Sequence, residues 1–285
     1  MSEVITFERK KGPTCIGLYD TGMGGVTIFE HLSEKFPDAR FVCIADSQYF
    51  KHGSRDFVAI RKRAVYAIQW LINSGANAIV VACNTVYLAI EGIVDSFRVP
   101  IIGPVHPVIK DALRVSTSRR IGVVATDLTA QSKRYTALIH QCDSGAVVFE
   151  KGCSDWVYFI EAGAINSDGM IESVKRVVEE LKNNEIDTLI LGCTHFPLVK
   201  RLVIEQWSGP ISIVDSATGI EQWLHESNIC SSRFGANASE LSSCYWVTEQ
   251  PKAFQRMVRV TMGLELPVRT LRLAGMDSRD SLALA

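Results

Sequence analysis

Two segments of the chain, residues 75–85 and 185–195, look like copies of one another, and this repeat limits the folds open to the sequence. The first reads GANAIVVACNT and the second reads EIDTLILGCTH. Each is a short aliphatic run that ends in a small residue, a cysteine and polar side chains. Apolar runs of this length are typical of buried strands. The repeat therefore predicts two related half-chains, each with a buried strand that ends at a thiol.

Short aliphatic runs alternate with longer amphipathic stretches, which indicates buried parallel strands covered by helices. We expect an α/β fold with two pseudosymmetric, doubly wound domains, mainly parallel sheets and an active site in the cleft between them. The first domain is expected to comprise residues 1–110 and 216–285, and the second residues 111–215. The predicted strands are residues 15–19, 40–45, 78–83, 99–105, 120–125, 145–149, 189–193, 211–214 and 245–248. The predicted helices are residues 26–35, 57–72, 171–181 and 220–225, with another that begins at Pro197.

Composition restricts the class of protein. Hydrophobic residues make up 47% and charged residues 21% of the 285 residues, as in folded globular proteins. The formal net charge is −1 without a basic stripe, so we expect no nucleic-acid partner. No apolar run approaches the roughly 18 residues of a membrane span, and we expect neither a signal peptide nor a membrane partner. The cysteines have no Cys-x-x-Cys spacing, which favours free thiols in a reducing cytoplasm over a zinc ribbon.

The two cysteines of the repeat, Cys83 and Cys193, are the candidate chemical groups. Open parallel sheets bind ligands at the carboxyl ends of their strands, so we expect the thiols to face one another across a cleft. Two such thiols can remove a proton from one face of a carbon and return it to the other, as in a racemase without a cofactor. The alternative is that both cysteines only pack in the core. The hydrogen-bonding side chains after each cysteine favour the functional interpretation.

A glycine-rich turn follows the first predicted strand. Its sequence at residues 20–25 is DTGMGG, which lacks the G-x-G-x-x-G spacing of a dinucleotide loop. Its backbone N–H groups and the start of the next helix could hold an anion such as a carboxylate, with Asp20 facing the cleft. Asp20 could equally cap that helix, and the local sequence leaves both interpretations open.

The chain resembles the glutamate racemases of the aspartate/glutamate racemase superfamily. The matching motifs occur in the family's order and are GLYDTGMGG (17–25), ACNT (82–85), IGVVAT (121–126), LGCTHFP (191–197) and VDS (214–216). The resemblance implies two α/β domains with the active site between them. It also implies reversible conversion of L- to D-glutamate for peptidoglycan, with neither pyridoxal phosphate nor a metal. The expected partner is this small-molecule substrate, and the expected assembly is a homodimer or a monomer.

Transferred position by position, the resemblance implies Cys83 and Cys193 as the acid and base thiols, with Asp20, His195 and Glu161 as further catalytic residues. A free thiol has a pKa of about 8.5, so a working thiolate needs a nearby cation or base, and His195 could supply one. The residues implied to bind the substrate are Asp20, Thr21, His52, Gly53, Asn84, Thr85, Thr194 and His195.

The sequence departs from the family at three places near the expected pocket, and one of them is Val86, where the family commonly has a small alanine. Thr21 stands where the family usually has serine, and Lys51, His52 and Gly53 stand where it usually has Pro-Tyr-Gly. Positive side chains beside the cleft favour an acidic substrate; alternatively, Lys51 and His52 point to solvent.

Two other functions remain open at this stage. The chain could be a superfamily relative that acts on another amino acid or a related acid. It could also be a non-catalytic, regulatory protein on the same scaffold, although the presence of both Cys83 and Cys193 argues against this.

Overall fold

Ten strands form two sheets within the part of the chain that the computed structural model describes, which is residues 14–47, 56–227, 229 and 243–273. The strands are β1 (Cys15–Asp20), β2 (Arg40–Ala45), β3 (Ala78–Val81), β4 (Ile101–Ile102), β5 (Arg120–Ala125), β6 (Val147–Gly152), β7 (Thr188–Gly192), β8 (Ser212–Val214), β9 (Cys244–Val247) and β10 (Val268–Thr270). The α-helices are α1 (Gly25–Lys35), α2 (Phe57–Asn73), α3 (Asn84–Ile90), α4 (Val105–Val115), α5 (Asp127–Gln131), α6 (Arg134–Cys142), α7 (Ser154–Glu161), α8 (Asp168–Lys182), α9 (Lys200–Trp207), α10 (Ser216–Glu226) and α11 (Pro251–Met262). Short 3-10 helices cover Glu91–Ser96 and Phe196–Val199.

The two sheets repeat one topology. The larger has the strand order β10-β9-β2-β1-β3-β4 and the smaller has the order β6-β5-β7-β8. The order β2-β1-β3-β4 therefore recurs as β6-β5-β7-β8, and every paired strand is parallel. The predicted α/β class with pseudosymmetric parallel sheets is confirmed. We call the larger sheet with its helices the first half and the smaller sheet with its helices the second half.

The tail of the chain adds two strands to the first half, because β9 pairs with β2 and β10 pairs with β9. The larger sheet thus takes strands from residues 15–102 and 244–270, whereas the smaller takes them from residues 120–214. The domain bounds themselves, 1–110 with 216–285 and 111–215, stay a prediction.

Strand β3 is aliphatic along its length because helices cover both of its faces. Ile79 and Val81 pack in one core cluster with Leu71 of α2, whereas Val80 packs in another with Ile28 of α1. Successive side chains of a strand point to opposite faces, so two covered faces require a continuous apolar run. Burying each of these side chains contributes about 1.5–3 kcal/mol, which holds the end of the strand in place.

Two predicted strands were placed wrongly. Residues 99–105 form only the two-residue strand β4, since Pro104 has no N–H to donate to a neighbouring strand and α4 begins at Val105. Strand β6 begins at Val147 and runs on to Gly152, three residues beyond the end of the apolar run, because its pairing with β5 continues to the Ala125–Gly152 pair. The helices predicted at 57–72 and 171–181 are confirmed as α2 and α8.

None of the described helices combines the length and the apolar character that a membrane span needs. The described cysteines carry free thiols, and they are Cys15, Cys43, Cys83, Cys142, Cys153, Cys193 and Cys244.

Asp187, the residue before β7, forms hydrogen bonds with the segment that leads from the first half into the second. Its carboxylate accepts hydrogen bonds from Ser116 Oγ at 2.7 Å and from the backbone N–H groups of Thr117 and Ser118 at 2.8 and 2.6 Å. Partial desolvation raises the pKa of Asp187, but the hydrogen bonds outweigh it and hold the pKa well below its ordinary value. The ionised carboxylate therefore stabilises the folded state.

We expect Asp187→Asn to lower the free energy of unfolding by about 1–2 kcal/mol at pH 7, the usual size for hydrogen bonds to a partly exposed charged group. The folded pKa lies below the unfolded value of about 3.9, so this contribution is complete above pH 4 and is lost as the pH falls through the folded pKa. The measurement is urea unfolding of both proteins at pH 7 and pH 2.5. The control is the same substitution at the exposed Asp38. A loss from Asp187→Asn that is equal at both pH values would contradict the account.

Candidate active site

The strand order places the candidate residues at the point where ligands bind in such sheets. In each half the chain runs from the first strand to a neighbour on one side and then to a third strand on the other side. The crevice at the carboxyl ends of these strands is the topological switch point. In the first half, Asp20 ends β1 and Cys83 follows β3, and in the second half Thr126 follows β5 and Cys193 follows β7. Both thiols therefore lie at the strand ends predicted for them.

The surroundings of Cys83 favour the neutral thiol on balance. Thr21 Oγ1 donates a hydrogen bond to Cys83 Sγ at 3.6 Å, and the buried carboxylate of Asp20 lies nearby. Desolvation and the charge of Asp20 raise the pKa of Cys83 to about 12, and the hydrogen bond from Thr21 offsets only part of this. The Cys83 thiol therefore keeps its proton at neutral pH.

Cys193 has the opposite environment. Its sulfur lies 3.7 Å from Nδ1 of His195, and Nε2 of His195 lies 3.1 Å from Oε1 of Glu161. Desolvation lowers the pKa of His195, but its hydrogen bonds to Cys193 and Glu161 and their charges outweigh this and raise the pKa to about 10. A buried imidazolium beside a sulfur stabilises the thiolate over the thiol. Cys193 therefore has a positively charged neighbour, which Cys83 lacks.

Asp20 links the two halves of the site. Its Oδ2 accepts a hydrogen bond from Thr194 Oγ1 at 3.1 Å, and its Oδ1 accepts one from the backbone N–H of Gly22 at 2.9 Å. Helix α1 has Gly24 at its N-cap position, without a side-chain cap. Helix capping by Asp20 is therefore wrong, and the carboxylate faces the second half. Binding of an anion by this turn stays a prediction.

The glycine-rich turn touches the loop that carries Cys193. Thr27 Oγ1, at the start of α1, donates to the backbone carbonyl of Thr194 at 3.0 Å. A Cβ atom at Gly24 would overlap Thr194 Oγ1 and would lie 2.5 Å from His195 Nδ1. A Cβ at Gly22 would lie 2.8 Å from Glu161 Oε1. The turn needs glycines because its backbone approaches the Cys193 loop this closely.

A second set of contacts joins the halves beside Cys83. Thr85 Oγ1 lies 3.0 Å from Thr126 Oγ1 and 2.7 Å from Thr129 Oγ1. The hydroxyl of Tyr135 donates to Asn84 Oδ1 at 2.6 Å. Thr129 and Tyr135 were not among the predicted site residues. The repeat offered a signal for Thr126, which follows β5 as Thr21 follows β1, but a buried tyrosine in a helix looks like any other core residue.

The structure brings together nine of the predicted residues, which are Asp20, Thr21, Cys83, Asn84, Thr85, Glu161, Cys193, Thr194 and His195. Glu161, whose surroundings in the sequence were least distinctive, reaches the site as the last residue of α7. His52 and Gly53, with Lys51, lie outside the described residues. Within the described part of the chain, no group of three or more His, Cys, Asp or Glu side chains is arranged to hold a metal ion.

Comparison with known proteins identifies relatives along most of the chain. The family model of the Asp/Glu/hydantoin racemases matches residues 26–219. The glutamate racemase of Chlorobaculum tepidum is 31% identical over 92% of this chain and 96% of its own length. That of Persephonella marina is 29% identical over 91% of this chain and 97% of its own. The crystal structure of glutamate racemase isoform RacE1 from Bacillus anthracis has a TM-score of 0.82 and 25% identity, over 91% of this chain and 98% of that one.

The two thiols should react differently with iodoacetamide at pH 7. We expect Cys193 to be alkylated faster than Cys83, because thiolates are the reactive species. If exposure to the reagent alone set the rate, Cys83 would react faster, since Cys193 is only 8% exposed and Cys83 is more exposed. The measurement is peptide mass spectrometry over a time course, with the exposed Cys142 as an internal reference.

In the His195→Asn variant we expect the preference for Cys193 to disappear while labelling of Cys142 is unchanged. Faster labelling of Cys83 in the wild type, or undiminished labelling of Cys193 in the variant, would contradict the assigned charge states.

Proposed function

Because this chain belongs to the Asp/Glu/hydantoin racemase family, we propose that it interconverts L- and D-glutamate with Cys83 and Cys193 as the acid and base. The observation that carries the proposal is the contrast between the two thiols. Cys193 lies beside a protonated imidazole, whereas Cys83 lies beside a buried carboxylate. One thiol is therefore ready to accept a proton while the other is ready to donate one.

In the proposed reaction the Cys193 thiolate removes the α-proton from one face of the amino acid. The C–H bond breaks, its electron pair stays on the α-carbon and its carboxylate, and Cys193 becomes a thiol. The Cys83 thiol then delivers its proton to the opposite face, which forms the other enantiomer and leaves a Cys83 thiolate. The reverse reaction begins from this second state, with the two thiols in exchanged roles. No electrons are gained or lost, so the cycle needs no oxidant or reductant.

The neighbouring groups would control these proton transfers. His195 stabilises the thiolate of Cys193, and Glu161 positions that imidazole and keeps it protonated. The charge of Asp20 keeps the proton on Cys83 until the α-carbon becomes more basic than the thiol. Preorganised donors must meet the negative charge that develops on the substrate. We assign this task to Asn84, Thr85 and Thr194, with the hydroxyl of Thr21 holding the sulfur of Cys83.

The proposal also covers the cellular location of the protein and the use of its product. Both thiols must stay reduced to work, so we propose a cytoplasmic protein. D-Glutamate would be supplied for peptidoglycan, the expected role in the family. Substrate contacts of His52 and Gly53, and assembly as a homodimer or a monomer, remain predictions.

Cys83→Ala and Cys193→Ala should each lower the turnover number by about 10²–10⁴, the usual contribution of a general acid or base. Each thiol serves one face of the α-carbon, so both directions should be impaired in both variants. The measurement is circular dichroism of L- and D-glutamate solutions during the reaction. Cys142→Ala removes an exposed thiol in α6 and should leave the rate unchanged.

Near wild-type turnover in both directions by either active-site variant would rule out the two-thiol assignment. The same assay on a panel of amino acids tests the substrate. Glutamate should be preferred over aspartate and over neutral amino acids. A preference for another amino acid would identify a superfamily relative with a different substrate, and no turnover of any amino acid would indicate a non-catalytic protein.

A further inference from the structure

The side-chain amide of Asn84 is buried and only half of its hydrogen-bonding capacity is used. Asn84 is 2% exposed, and its Oδ1 accepts the hydrogen bond from Tyr135. Its Nδ2 has no hydrogen-bond partner among the described residues. Buried amide N–H groups are almost always paired, because an unpaired one loses its hydrogen bonds to water without replacement. Asn84 follows Cys83 directly, so this unpaired donor lies beside one of the two candidate thiols.

Tyr135 determines which way this amide is turned. A tyrosine hydroxyl has one proton to donate, and an asparagine side chain has one acceptor oxygen and one donor nitrogen. Tyr135 is fully buried, so its proton needs an acceptor, and Asn84 Oδ1 at 2.6 Å supplies it. The opposite orientation of the amide would place Nδ2 against the hydroxyl and leave the proton of Tyr135 without that acceptor.

The hydroxyl keeps its proton under all ordinary conditions. Burial raises the pKa of Tyr135 well above its usual range, and the charges of Cys193, Glu150 and Cys83 act in the same direction. Tyr135 is therefore a permanent donor to Asn84. It also lies close enough to both thiols to respond to their charge, although it is not aligned with either as a hydrogen-bond partner among the described contacts.

We propose that Tyr135 is a positioning residue, whose hydroxyl holds the Asn84 amide so that Nδ2 donates hydrogen bonds to the carboxylate and developing carbanion of the substrate. Tyr135 belongs to α6 of the second half and Asn84 begins α3 of the first half. The orientation of the Asn84 amide is thus fixed only when the two halves are in contact. A hydrogen bond accepted by Oδ1 also polarises the amide and strengthens its N–H groups as donors. This inference rests on the proposed racemase function and adds a residue to it.

The test is a double-mutant cycle in the full-length protein with glutamate as substrate. Tyr135→Phe removes only the hydroxyl, and we expect kcat/KM to fall about 10- to 100-fold, the usual effect of one hydrogen bond to a charged group. Asn84→Ala should lose at least as much. Because Tyr135 acts only through Asn84, the double variant should equal Asn84→Ala within about twofold. The matched control is Tyr245→Phe, which removes a hydroxyl from another buried tyrosine, in β9, and should keep wild-type kcat/KM.

Two results would overturn the proposal. One is wild-type kcat/KM in Tyr135→Phe. The other is a loss in the double variant equal to the product of the two single losses, which would mean that Tyr135 acts independently of Asn84. Thermal unfolding of each variant separates these effects from loss of folded protein. If the wild-type protein does not racemise glutamate, the proposed function is wrong. If it does, and the loss in the double variant equals the product of the single losses, only the role of Tyr135 is wrong.

Asn84→Asp gives a test that does not require Tyr135→Phe to fold. Aspartate keeps an acceptor for the Tyr135 hydroxyl but has no N–H groups to offer a substrate. We expect it to fold like the wild type and to be as impaired in kcat/KM as Asn84→Ala. If Asn84→Asp keeps more than a tenth of the wild-type value, Nδ2 is not the donor and the proposal is wrong.

Discussion

The site depends on the hydrogen bond from Thr194 to Asp20, which joins the loop after β7 to the end of β1. Because the two sheets share one topology, each brings its loops to the carboxyl ends of its strands. Neither sheet alone makes these ends face the other sheet, so contacts between the halves are needed. Thr27 and the glycine-rich turn add further contacts to the same loop. Beside Cys83, Thr85 and Tyr135 each take part in a hydrogen bond between the two halves. The loops that carry the chemical groups thus contribute to the contacts between the halves, beside the core cluster that the halves share.

This arrangement also explains how two cysteines of similar sequence acquire different properties. Both follow an aliphatic strand, and both lie at the carboxyl edge of a parallel sheet. The sulfur of Cys193 has His195 beside it, and Glu161 supports the positive charge of that imidazole. Cys83 has the negative charge of Asp20 nearby instead. A repeated fold supplies two equivalent positions, and a few charged neighbours give the two thiols opposite electrostatic surroundings.

The alternation of aliphatic and amphipathic stretches was enough to predict the class of fold, and the repeat of the two cysteine strands was enough to predict the position of both thiols. Strand ends in parallel sheets are set by local apolar pattern, so residues such as Asp20 and Thr194 could be placed from sequence. Glu161 was placed only through the resemblance to the family, because its approach to His195 depends on how α7 packs across the second half. Tyr135 gave no signal, since its role lies in one contact with Asn84 from the other half. The end of β6 was missed because pairing with β5 extends it past the apolar run.

The central claim is that two different thiols exchange protons with opposite faces of one carbon. Racemisation of L-glutamate in deuterium oxide, analysed by mass spectrometry at low conversion, tests it most directly. The donor thiol is in exchange with solvent before each turnover, so the D-glutamate formed first should carry one deuterium at its α-carbon while the remaining L-glutamate stays largely unlabelled. D-Glutamate that retains the original α-proton would mean that one group moves the proton between the two faces, and the two-thiol account would be wrong.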